Sequence, residues 1–122
     1  MTKDKKVLLV EDFPIIQNLY SQPLKSHGYE VDIAGDGEVA LGMVSEKSYD
    51  FILLDLLLPK VNGIEFLEKF KDRPKQTKII ALSDFSEDKT IAKAKKLGID
   101  LYLIKAENTP SQLIDRLDKF TD

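Results

Sequence analysis

Five short runs rich in aliphatic and β-branched residues, at 7–10, 29–33, 51–54, 79–82 and 101–104, recur at similar intervals along the chain. Their spacing restricts the fold more than any other feature. Each run has the length and composition of a β-strand. Four are apolar almost throughout rather than alternating, as strands covered on both faces of a parallel sheet must be. The second, Tyr29-Glu30-Val31-Asp32-Ile33, alternates and belongs near an edge.

Between the runs lie helical patterns with recognisable ends. Pro14 suits the first turn of a helix capped by Asp12, and Gly28 suits its left-handed stop. Pro23 falls inside that helix, where a missing donor and a steric clash predict a kink. His27, next to Gly28, is expected to meet the terminal carbonyls. Asn62 with Glu65 forms a capping-box-like start for a helix carrying Ile64, Leu67 and Phe70. Thr109-Pro110-Ser111-Gln112 starts another, with Leu113, Ile114, Leu117 and Phe120 on one face. Lys89, Lys93 and Lys96 share one side of a further helix, whose default role is a solvated face. The order βαβαβαβαβα, with right-handed crossovers, predicts a doubly wound α/β fold: a five-stranded parallel sheet with helices on both faces.

A length of 122 residues suits one domain, 1–122, and no linker, low-complexity tract or duplication beyond the βα repeat divides it. Net charge is −3 with Lys and Arg dispersed, so the basic footprint of a nucleic-acid-binding protein is missing. No segment has the character of a membrane span, and no apolar run of signal-peptide length precedes Glu11, so a cytoplasmic protein is expected. There is no cysteine, so a bound metal must be held by oxygen or by the lone His27. Oxygen ligands point to a hard cation, Mg²⁺ first and Mn²⁺ second.

In doubly wound sheets, ligands collect at the carboxyl ends of the strands. The residues that follow the strands here are Glu11 and Asp12, Asp55, Ser83 and Lys105. Three converging carboxylates repel one another unless a cation sits among them. Asp12 and Asp55 as direct ligands, with Glu11 acting through water, would suit Mg²⁺ and leave Asp55 an oxygen for attack on phosphorus. Lys105 and Ser83 would then meet charge on the phosphoryl oxygens. Taken singly, Asp55 fits a helix cap or turn, Glu11 and Asp12 fit a helix N-terminus, and Ser83 fits a turn.

Taken in order, Val7-Leu8-Leu9-Val10-Glu11-Asp12, Leu53-Leu54-Asp55-Leu56-Leu57-Leu58-Pro59 with Gly63, Ala81-Leu82-Ser83 and Tyr102-Leu103-Ile104-Lys105 resemble the response-regulator receiver domains of two-component signalling. The resemblance covers nearly the whole chain. It implies the flavodoxin-like strand order 2-1-3-4-5, Asp55 as phosphoacceptor, Asp12 as a Mg²⁺ ligand assisted by Glu11, and the backbone carbonyl of Leu57 as a further ligand. It implies that Ser83 and Lys105 move onto the phosphoryl group, that Tyr102 matches an aromatic switch position, and that the fourth helix, fifth strand and fifth helix form the output surface. It implies a switch rather than an enzyme: a sensor histidine kinase or phosphotransfer protein as donor, a downstream protein as target, and a monomer or weak phosphorylation-dependent dimer.

Two positions depart from the pattern. Asp84, where a small residue is usual, adds a fourth carboxylate, and the expectation is slower phosphorylation or an altered metal preference. Ala106 stands where proline usually follows the lysine, so a trans bond and a differently shaped loop are expected. Two other readings stay open: a phosphorylation-independent interaction module on the same fold, and a flavodoxin-like cofactor binder. The second needs a phosphate-cradling first loop, where Glu11-Asp12-Phe13-Pro14 brings negative charge.

Overall fold

The computed structural model describes residues 5–56, 62–83 and 88–121. Strands and helices alternate along the chain: β1 Lys6–Val10, α1 Pro14–Ser26, β2 Glu30–Ala34, α2 Gly37–Glu46, β3 Phe51–Asp55, α3 Gly63–Lys69, β4 Lys78–Ser83, α4 Asp88–Lys96, β5 Leu101–Ile104 and α5 Pro110–Thr121. The strands form one parallel sheet in the order β2-β1-β3-β4-β5, so the alternating strand lies at an edge as its pattern predicts.

Side-chain parity divides the core into two layers. Leu8, Val10, Ile52, Leu54, Ile79 and Ala81 face one way, onto Ala40 of α2, Phe66 and Leu67 of α3 and Ala94 of α4. Val7, Leu9, Phe51, Leu53, Ile80 and Leu82 face the other, onto Tyr20 and Leu24 of α1 and Leu113 and Leu117 of α5. Both faces are covered, so a strand such as Phe51–Asp55 carries no outward polar position, and each of its large side chains contributes roughly 1.5–3 kcal/mol by burial.

The helix ends follow local chemistry, with two corrections. Asn62 accepts from the Glu65 amide at 2.9 Å, and Thr109 and Gln112 exchange side-chain bonds with each other's amides at 3.2 and 2.8 Å. Gly28 at φ 100° ends α1, letting the Tyr29 amide return to the Leu24 carbonyl at 3.0 Å. The first correction is that Asp12 does not cap α1. Phe13 holds the N-cap position without a side-chain cap, and Pro14 opens the helix. One residue too early in the chain, Asp12 turns to the strand ends instead. The second concerns His27, whose ring bonds Asp118 of α5 at 3.0 Å and stacks on Tyr29, while only its backbone N–H meets the α1 carbonyls. The helix continues through Pro23 to Ser26. Lys89, Lys93 and Lys96 are exposed on α4.

Candidate functional site

Strand order reverses beside β1, since β2 lies on one side of it and β3 on the other, and the crevice of a doubly wound sheet opens there. Val10 pairs with Leu54, so Glu11 and Asp55 leave neighbouring strands at one level. Carboxylate oxygens of Glu11, Asp12 and Asp55 all lie within 4.8 Å of one another. Lys105, reaching in from the end of β5, bonds Asp55 Oδ2 at 2.9 Å and also bonds Glu11 Oε1. Ser83 is buried at the end of β4, one residue beyond the Leu82 that pairs with Asp55. Glu11, Asp12, Asp55 and Lys105 are therefore together, with Ser83 at the adjoining strand end. Leu57 and Asp84 lie outside the described residues.

Burial dominates the electrostatics. Glu11 is 1% exposed, and loss of water pushes its carboxyl above the usual 4.5, although bonds from Lys105 and the Phe13 amide pull it back in part. Burial alone would lower the Lys105 ammonium, but its bonds to Glu11 and Asp55 outweigh that and raise it, so the cation is secured. Among the described residues one ammonium thus stands at a cluster of three carboxylates. Asp12 Oδ1 is buried with no hydrogen-bond partner among the described residues. An orphaned carboxylate oxygen of this kind is costly unless something positive meets it.

The residues fit a hard divalent ion. Every donor in the cluster is oxygen, the chain has no cysteine, and its single histidine is engaged with Asp118. Opposite ligands of octahedral Mg²⁺ stand about 4 Å apart, comparable with the span of this cluster.

Around this group, Gly63 is required by close approach. A Cβ there would lie 2.5 Å from the Leu56 Cα and 2.8 Å from the Asp55 carbonyl oxygen. The α3 N-terminus is thereby packed against the strand end that carries Asp55. After Lys105 the chain turns through a short 3₁₀ segment, Lys105–Glu107, held by the Asn108 side-chain amide on the Ile104 carbonyl at 3.0 Å, with no cis bond at Ala106. Tyr102 is half-buried against the α2, α3 and α4 layer.

Gln17 was not singled out by sequence reasoning. Its side-chain amide donates to the Glu11 carbonyl at 2.7 Å. A neutral residue on a helix carries no signal for such a role beyond its place in the first turn of α1, shortly after the acidic pair.

A doubly wound sheet with carboxylates and one lysine gathered at its switch point defines a class of α/β domains with an acidic pocket. Comparison narrows the class. The family model described as "Response regulator receiver domain" matches residues 7–118. The gliding motility regulatory protein of Myxococcus xanthus is 33% identical over 121 residues, covering 98% of this chain and 16% of that protein. The transcriptional regulatory protein ResD of Bacillus subtilis is 34% identical over 104 residues, covering 85% and 43%. Among solved structures, a CheY-like receiver domain protein of Methanospirillum hungatei superimposes with a TM-score of 0.90 at 29% identity, covering 97% and 94% of the two chains. The chain belongs to the response regulator receiver domain family. It is thus a module of two-component phosphorelay signalling, a switch and not a conventional enzyme. It spans less than half the length of these curated relatives. Among the described residues no helix is long and apolar enough to cross a membrane.

Proposed function

We propose that Asp55 accepts the phosphoryl group, with Mg²⁺ held by Asp12 and Asp55 directly and by Glu11 through water. The observation that carries this reading is the buried Oδ1 of Asp12, without a partner among the described residues, beside the Glu11 and Asp55 carboxylates that Lys105 bonds. When bound, the ion neutralises the cluster and offers positive charge to phosphoryl oxygens. Asp55 presents an oxygen from a rigid strand end, Lys105 transfers part of its charge from the carboxylates to the incoming phosphoryl group, and Ser83 supplies a hydroxyl. The Leu57 carbonyl is the further ligand proposed.

The donor is a sensor histidine kinase or phosphotransfer protein. An apolar rim suits such a partner: Phe13 and Ile15, at the start of α1, are exposed beside Lys105, Ile15 is 81% exposed, and Leu19 is exposed further along the helix. The switched surface is α4, β5 and α5, with Tyr102 half-buried on β5 and a downstream protein as its target. Residues 1–122 act as one receiver domain in the cytoplasm, monomeric or weakly dimerising when phosphorylated.

Incubation with acetyl phosphate and Mg²⁺, read by intact mass, tests the reading. The parent gains one phosphoryl group, chelation abolishes the gain, and Asp55→Asn gains none. An Asp55→Asn chain that is still phosphorylated to the parent's extent refutes the assignment. A parent that gains nothing favours the phosphorylation-independent module.

A further inference from the structure

We infer that Gln17 is a positioning residue of the acidic pocket, one that orients the Glu11–Asp12 peptide and through it aims the Asp12 carboxylate at the cation. The inference rests on the reading that this cluster binds a divalent metal.

The Glu11 backbone is gripped from two sides. Its N–H donates to the Ala34 carbonyl at 3.0 Å, and its own carbonyl accepts from the Gln17 side chain at 2.7 Å. A peptide unit is planar, so holding the Glu11 carbonyl also fixes the opposite N–H and the direction in which the Asp12 Cα departs. Nothing comparable holds the Asp12 side chain, since its Oδ1 has no partner among the described residues and it does not cap α1. Its aim is therefore set by its backbone. Gln17 itself is fixed on the first turns of α1, where its N–H bonds the Phe13 carbonyl at 2.9 Å. Without the side-chain amide, the Glu11 N–H keeps Ala34 and the Phe13 N–H keeps Glu11 Oε2 at 3.2 Å, but neither bond holds the Glu11 carbonyl.

The test compares the parent with Gln17→Met, which removes the donor, and Gln17→Lys, which keeps one. All three residues are good helix formers. Calorimetric titration with Mg²⁺ is expected to show affinity about tenfold weaker in Gln17→Met and within about twofold of the parent in Gln17→Lys. In the metal-free proteins the Asp12 amide exchanges with solvent faster in Gln17→Met. A residue that only stabilises α1 would lower the unfolding midpoint and leave the dissociation constant alone. Parent-like metal affinity in Gln17→Met overturns the inference, as does a Gln17→Lys chain as weak as Gln17→Met. If Gln17→Met does not fold, Gln17→Glu, of the same shape but without the donating amide, takes its place with the same expectation. A parent that binds no metal refutes the cation reading; unchanged Asp12 exchange then overturns the positioning role too, whereas faster exchange upholds it.

Discussion

The two rims of the sheet use the same residue types in opposite ways. At the amino ends of the strands, three acidic or hydroxyl side chains meet backbone or a cation. Asp50 accepts from the Lys6 amide at 2.8 Å, Thr77 donates to the Tyr49 carbonyl at 2.7 Å, and Asp100 takes the Ile79 amide at 2.8 Å and Arg73 at 3.3 Å. At the carboxyl ends, the Glu11, Asp12 and Asp55 carboxylates crowd together, and among the described residues Lys105 bonds Glu11 and Asp55 but not Asp12. Satisfied polar groups hold a fold together, while crowded and incompletely paired ones raise its energy until a ligand arrives. One rim is therefore built to persist and the other to bind.

Perturbing each rim separately tests that division. The largest effect is expected at Gly63, where the division fails: Gly63→Ala forces a methyl group against Leu56 and the Asp55 carbonyl, costs roughly 3 kcal/mol in urea unfolding, and slows phosphorylation as well. Asp100→Ala at the amino rim leaves the Ile79 amide and Arg73 without their acceptor, and should cost about 1–3 kcal/mol while acetyl phosphate still labels the protein at the parent's rate. At the other rim, Ile15→Asp should slow transfer from a histidine kinase about tenfold, leaving acetyl phosphate labelling and stability unchanged. Labelling by acetyl phosphate that falls in parallel would remove the docking role of α1.

The smallest effect concerns Asp32. Bonds from Tyr49 at 2.6 Å and Lys47 at 2.9 Å hold its carboxyl below the ordinary 3.8. A depressed folded-state value contributes stability that is present above the unfolded pKa and lost as pH falls through the folded one. Stability should therefore decline below pH 3.8 less steeply in Asp32→Asn than in the parent, by an amount that shrinks with added salt, because the pair is partly exposed.

Much of this was legible in the sequence, for identifiable reasons. Strands covered on both faces leave uninterrupted apolar runs, and the alternation of Tyr29-Glu30-Val31-Asp32-Ile33 marks the edge that β2 occupies. Glu11, Asp12, Asp55 and Lys105 could be grouped because each ends a strand or lies within two residues of its end, so sheet topology brings them together. What could not be read depends on where a side chain points rather than where it sits. Asp12 has the composition and nearly the position of a helix cap, yet Phe13 takes that place and frees the carboxylate. His27 reaches Asp118 across 91 positions of sequence, and no local pattern announces such a pairing. Gln17 acts on a main-chain carbonyl, which has no identity in the sequence at all.

Lys105 closes β5 but is gripped by anions rooted on β1 and β3, with β4 running between. It works as a yoke across the sheet. One side chain thereby ties the ends of three strands, β1, β3 and β5, at a single rim.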